Sequence, residues 1–176
     1  LFYIIGGDGS IDVTVKGKKE MLMPDLPRFG LRLFMPKEMD QAEYYGYGPY
    51  ESYIDKKQAS YMSRFATTAK ENHEDYIKPQ ENGSHYGCLE ALVADEWGSG
   101  IEAVSEKGFN FNISCYTQEE LESKMHNFEL EEADCTVVCL DYAMSGIGSN
   151  SCGPRQKEHH QFNEPKFKYH IRINMI

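Results

Sequence analysis

A chain of 176 residues, 40% of them apolar, is long enough for one domain whose folding removes roughly two thirds of the unfolded surface from water. With 18 Lys and Arg against 28 Asp and Glu, its formal charge is −10. That balance disfavours nucleic acid and anionic membrane surfaces, which both call for clustered basic side chains, and no run of about 18 apolar residues offers a membrane-spanning helix.

In chain order the pattern is mostly period two. FYII, a GDGS turn and IDVTV read as a hairpin with Ile11, Val13 and Val15 on one face. FGLRLFM sets Leu31 and Leu33 opposite Arg32 and Phe34. KKQASYMSRFA, residues 56–66, is a weak helical candidate. FNFNIS alternates Phe109, Phe111 and Ile113 with Asn110 and Asn112. TQEELESKM predicts a helix with Thr117 as N-cap and Glu120 completing a capping box, continued by Leu121, Met125 and Phe128. TVVCLDYAM is a nearly continuous apolar run, as a central sandwich strand requires. FKYHIRI ends the chain with Phe167, Tyr169, Ile171 and Ile173 inward and Lys168, His170 and Arg172 outward. The 12 Tyr and 9 Phe suit half-buried strands. The expected fold is all-β, a large antiparallel β-sandwich with one or two short helices, in a single domain spanning 1–176. The opening LFYIIGGDGS lacks the basic head and long apolar centre of a secretion signal. It also lacks an initiator Met, so a fragment cut from something longer is expected.

Five cysteines leave one unpaired under any disulfide scheme, and none stands in a CxxC pair. In a strand, Cys135, Val137 and Cys139 share a face as small buried thiols. Reduced thiols suggest a cytoplasmic compartment. The six histidines show no ligand spacing, so metal binding is unsupported. Glu81, in YIKPQENG, could be a catalytic acid, but a carboxylate that holds backbone amides at the sharp Asn82-Gly83 turn is the better reading. GIGSNSCGP, residues 146–154, has Ser151 where a dinucleotide loop needs its third glycine, and no βαβ unit surrounds it. Its glycines allow backbone angles that a β-carbon forbids, Asn150 and Ser151 can bond their own backbone, and Gly153-Pro154 sets the exit. A rigid loop with Cys152 at or near its tip follows.

LPRFGLRLFMP, YYGYGPYESYIDKKQAS, YIKPQENGSHYG, FNISCYTQEEL and LDYAMSGIGSNSCGP, in this order, resemble the C-terminal small-chain domain of glycoside hydrolase family 2 β-galactosidases. Gly48, Pro49, Glu51, Tyr53, Asp55 and Lys57, and Pro79 to Gly83, are the most specific matches. Tyr47 and Lys57 stand where the family often has Arg. The resemblance implies a supersandwich similar to galactose mutarotase, in the cytoplasm of a bacterium. It implies an accessory domain without catalytic residues, because the two glutamates belong to a TIM barrel of about 250 residues upstream. It implies no cofactor in this domain, the Mg and Na of full-length enzymes being bound elsewhere. Expected partners are the upstream barrel and sandwich domains, a β-galactoside such as lactose, and further copies in a homo-oligomer. The family loop that touches the sugar matches 146–154, so Asn150, Ser151 and Cys152 are the candidate substrate-binding residues. Many members have Trp in place of Cys152. Because the family domain begins before the residues matching Leu1, the first strands are expected to be missing and an open sheet edge to invite self-association. The alternatives are a stand-alone aldose 1-epimerase-like enzyme, using a His and a Glu to open the sugar ring, and a carbohydrate-binding module.

Overall fold

The first hairpin forms where the alternation places it: β1 (Phe2–Ile5) and β2 (Ile11–Lys18) pair antiparallel, and Asp8 holds the turn by accepting from the N–H and the hydroxyl of Ser10. The computed structural model to which they belong describes residues 1–20, 22–148 and 154–176. Seven further strands follow, β3 (Arg28–Pro36), β4 (Gln41–Gly48), β5 (Tyr61–Thr68), β6 (His85–Ala94), β7 (Gly100–Ser114), β8 (Cys135–Met144) and β9 (Lys166–Met175). Together they make one antiparallel sheet in the order β1-β2-β9-β7-β6-β4-β5, with β8 and β3 branching from β7.

The branch exists because β7 is long and bent. Its first half, Ile101–Val104, pairs with β9, and its second half, Asn110–Ser114, pairs with β8. Gly108 lies between them at φ +78, a left-handed angle that costs a glycine little, and the register with β6 shifts at the same level. The two arms face each other across the core. Tyr169 on β9 donates its hydroxyl to the Leu140 carbonyl oxygen at 3.1 Å, and the rings of Tyr142 and Phe167 stack at 5.2 Å. Tyr44, Phe109, Phe111, Ile113, Val138, Leu140 and Ile171 are sealed within one core cluster. Full burial of each such side chain stabilises the fold by about 1.5–3 kcal/mol.

The inward sets expected for β2, β3 and β9 are those observed. In β8, Val137 and Cys139 are buried as expected, but Cys135 only partly, and it is Val138 and Leu140 of the opposite face that enter the main core cluster. Two expectations are corrected. Residues 56–66 are not helical: Tyr61–Thr68 is strand β5, paired along its length with β4. Tyr61 and Phe65 touch edge to face at 5.4 Å, and their four-residue spacing imitates a helical stripe in a segment of strand-forming residues. The helix after Thr117 is only six residues, α1 (Gln118–Ser123). Thr117 accepts from the Glu120 N–H as expected, but the Glu120 carboxylate accepts from the Glu131 N–H instead of closing the capping box. Leu121 is buried, whereas Met125 and Phe128 are 61% and 84% exposed beyond the helix end. Among the described residues β1 pairs with β2 alone, and all of Leu1–Ile5 are exposed.

Candidate functional site

The segment after β4, GPYESYIDKK, ends in a buried lock. Glu51, whose side chain is 3% exposed, accepts from the Gly83 N–H at 2.8 Å and from Lys56 Nζ and the Tyr76 hydroxyl. Burial alone would raise its pKa, but the bonds from Lys56, Tyr76 and Gly83 outweigh burial and hold the carboxyl below its ordinary range. Gly83 sits at φ +70, and a β-carbon there would lie 2.5 Å from the Asn72 carbonyl oxygen, so only glycine fits. Asn72 Nδ2 donates to the carbonyl oxygens of Gly83 and Ile113 at 2.7 and 2.9 Å. That leaves Asn72 Oδ1 facing His85 Nε2 at 2.7 Å, while His85 Nδ1 lies 3.3 Å from the Tyr47 carbonyl oxygen. Burial pushes His85 down to about 4, so the imidazole is neutral at pH 7.

Glu81 therefore does not hold the turn; Glu51 does, reaching it from 32 residues away in sequence. Glu81 instead accepts from Arg28 Nη1 at 2.6 Å, while Arg28 Nη2 bonds Asp141. The second Glu81 oxygen is buried with no hydrogen-bond partner among the described residues, and burial raises this carboxyl to about 7 although Arg28 pulls it down. Asp141 is raised by burial in the same way, again against Arg28. Retaining hydrolysis needs two carboxyl groups about 5 Å apart with a sugar between them. Here both carboxyl groups are engaged by one guanidinium, which ties the 79–81 segment and β8 to the start of β3.

Above this anchor opens a cleft of about 590 Å³, walled by Pro27 and Arg28, by Pro79–Glu81, by Leu121 of α1, and by Met144 and Ile147. Its walls mix apolar rings and methylenes with a few polar tips, as small-molecule sites do. No histidine lines it among the described residues, and none of their His, Cys, Asp and Glu groups could hold a metal ion. No helix among them is long and apolar enough to cross a membrane.

The rim of the cleft is the start of the glycine loop. The Ser145 N–H donates to the Pro27 carbonyl oxygen at 2.9 Å, and its hydroxyl bonds the Leu26 carbonyl oxygen at 2.8 Å and the Phe162 N–H at 2.9 Å. The Gly146 N–H donates to the His160 carbonyl oxygen at 2.7 Å. Asp55 then accepts from the N–H groups of Ile147 and Gly148. Gly146 and Gly148 do not use left-handed angles, contrary to expectation. Gly146 is required for space, since a β-carbon there would fall 2.5 Å from the Asp55 carboxyl carbon. Asn150, Ser151 and Cys152 lie outside the described residues, between stems that the structure places at Gly148 and Pro154. Cys88, Cys115, Cys135 and Cys139 are free thiols, and burial pushes Cys139 up to about 12. Sequence reasoning gave no role to Arg28, Asp55 or Gln156. Asp55 alone carried a signal, as an acid in a specific motif of a chain with a glycine-rich loop offering unpaired N–H groups.

The family model for the β-galactosidase small chain matches residues 1–173. A β-galactosidase of Actinobacillus pleuropneumoniae is 48% identical over 174 residues, covering 99% of this chain and 17% of the relative. One from Staphylococcus xylosus is 39% identical over 169 residues, 96% of this chain and 17% of the relative. One from Vibrio cholerae is 30% identical over 175 residues, 98% of this chain and 16% of the relative. The chain thus spans about a sixth of the length of the curated relatives it matches.

Proposed function

Because the chain belongs to the β-galactosidase small-chain family, we propose that it is the accessory C-terminal domain of a β-galactosidase and closes one side of the galactoside pocket. In this reading the loop at 146–154 faces the sugar, with Asn150, Ser151 and Cys152 as its contacts. The acid/base and nucleophile come from a barrel elsewhere in the same polypeptide. The enzyme works in the cytoplasm on β-galactosides such as lactose.

The observation that carries the reading is the site's combination of parts. A cleft of about 590 Å³ is lined by Pro79–Glu81, from one of the segments most specific to the family, and rimmed by the glycine loop, yet of its two carboxylates Glu81 is committed to Arg28 and Glu122 stands apart on α1. It is a wall for a ligand, without its own cleaving pair. A wall of this kind has value only beside a second wall that carries the chemistry.

The test is activity of the purified chain on a chromogenic β-galactoside. No hydrolysis above a mock preparation is expected, and hydrolysis far above it overturns the reading. The same preparation should leave the mutarotation of fresh α-galactose unchanged in a polarimeter, since an epimerase needs a His and a Glu at the sugar and no histidine lines the cleft among the described residues.

A further inference from the structure

Irregularities in three neighbouring strands open a second hollow beside the cleft. β6 and β7 pair His85 with Phe111 and Cys88 with Phe109, so Tyr86 and Gly87 bulge out opposite the single residue Asn110. β7 bends at Gly108, and β8 reaches its end at Met144. Between them lies a trough of about 350 Å³, lined by Tyr86, Lys107, Asn110, Tyr142 and Glu164 and sharing Met144 with the cleft.

Asn110 is the buried polar residue of this trough, only 7% exposed. Its Oδ1 accepts from the bulged Gly87 N–H at 3.4 Å, which turns the other end of the amide away from Gly87. Nδ2 donates to no acceptor among the described residues, yet it is not sealed from solvent. Water meets those donors in the free protein, and a ligand oxygen can take its place. Glu164 accepts from the Tyr142 hydroxyl at 3.0 Å through one oxygen and has the other to offer. Lys107 is exposed and forms no ion pair among the described residues. Tyr86 is half-buried and held by Lys57, whose Nζ stands 4.0 Å from the ring centroid.

We propose that the trough is a saccharide-binding site, separate from the cleft, that takes one neutral pyranose unit. The donors of Asn110 and Lys107 and the acceptor of Glu164 line one small hollow together with an aromatic ring. Each sugar hydroxyl both donates and accepts, so neighbouring hydroxyls of one ring can meet an amide and a carboxylate at once. Lys107 and Glu164 balance each other in charge, which removes the advantage of an anion or a cation. The C–H face of the sugar suits the Tyr86 ring, apolar in its body and polar at its tip. The volume is at the low end for small-molecule sites, room for one ring and not for a chain of them. None of these residues belongs to the loop at 146–154, so the proposal stands whether or not that loop faces the galactoside.

The experiment follows the amide signals of the isotope-labelled chain by NMR while methyl β-galactoside is added, with thermal unfolding recorded for each variant. The Asn110 side-chain amide and the N–H groups of Gly87 and Gly108 are expected to shift saturably with a Kd of about 1 mM, the strength that about a dozen heavy atoms reach at ordinary ligand efficiency. Lys107→Ala and Glu164→Ala, both at exposed positions, should each weaken binding about three- to tenfold, and Asn110→Ala about tenfold. Asn110→Ala also gives up the Gly87 bond, so where it fails to fold the two exposed variants decide. Binding that neither exposed variant weakens overturns the proposal. Shifts confined to the cleft, at Gln80 and Gly146, overturn it and leave the accessory-wall reading intact. No saturable shift at the trough makes Asn110 a cap of the bulge alone and overturns it as well. Equal shifts with glycerol or with sodium acetate at the same concentration would replace the sugar by any polyol or by an anion, and would also overturn it.

Discussion

Glu51→Gln probes the lock on which the cleft depends. The substitution keeps the volume and removes the charge from a side chain that is 3% exposed and accepts from Lys56, Tyr76 and the Gly83 N–H. Hydrogen bonds to a charged group contribute about 1.5–3 kcal/mol each. Lys56 is half exposed, so its share is reduced by solvent screening. The Gln carbonyl oxygen keeps one acceptor, while its amide meets Lys56 or Tyr76 as a donor facing donors. The net loss works out at about 3 kcal/mol, the low end for breaking a buried pair. In urea, at a slope of about 2 kcal/mol per molar, the midpoint should fall by about 1.5 M. Acid supplies a second readout. A carboxyl held below its ordinary value contributes stability that is complete above that value and lost as pH falls through the folded one. The variant should lack this acid-side loss. A midpoint shift under about 0.3 M, or an unchanged acid limb, would refute the reasoning.

Two further outcomes are expected. Burial raises Glu81 to about 7, so its ionisation costs stability progressively from its ordinary value near 4.5 up to 7, whereas burial lowers His85 to about 4 and contributes stability that grows as pH rises from 4 to 6.5. The two slopes oppose each other, each at most about 1.4 kcal/mol per pH unit, so chemical denaturation at pH 5 to 6.5 should give Glu81→Gln a steeper rise with pH than the wild type and His85→Gln a shallower one; slopes equal to wild type in both would sink the assignment. Separately, the apolar residues of β1 are exposed on an edge with one partner strand, so sedimentation velocity of the purified chain should show concentration-dependent self-association that Ile4→Lys weakens, and a single monomeric species at every concentration would count against it.

What the sequence made legible follows from the range of the physics involved. Period-two alternation is local, and it identified the core faces of β2, β3 and β9 from Val13, Leu31 and Tyr169. The Thr117 cap was equally local. The helix length was not: α1 stops at Ser123, where Lys124 turns extended, and the Glu120 carboxylate expected to close the cap reaches the Glu131 N–H, a contact that no window of ten residues contains. Tyr61 and Phe65 misled for a related reason. Their spacing fits a helix and a strand equally, and pairing with Tyr44 on β4 decides between them. For strands β4 and β6, the sequence reading identified motifs and no strand.

The site shows the same division more sharply. Asn82-Gly83 was readable as a turn, and Gly83 at φ +70 is one. Which carboxylate served that turn was not readable, because Glu81 stands two residues from Gly83 and Glu51 stands 32 away. Proximity favoured the wrong residue. Glu81 instead bonds Arg28 at the start of β3, whose other terminal nitrogen bonds Asp141 on the neighbouring strand β8. Likewise the glycines of 146–148 announced an unusual loop, but their purpose was read as conformational freedom when Gly146 supplies space for Asp55. A motif residue with no chemistry of its own is then best understood by what it holds. Glu51 holds the turn behind the cleft and Asp55 holds the base of the loop in front of it, four residues apart on one strand-following segment. The motif that identifies the family is, physically, the strut that joins cleft to loop.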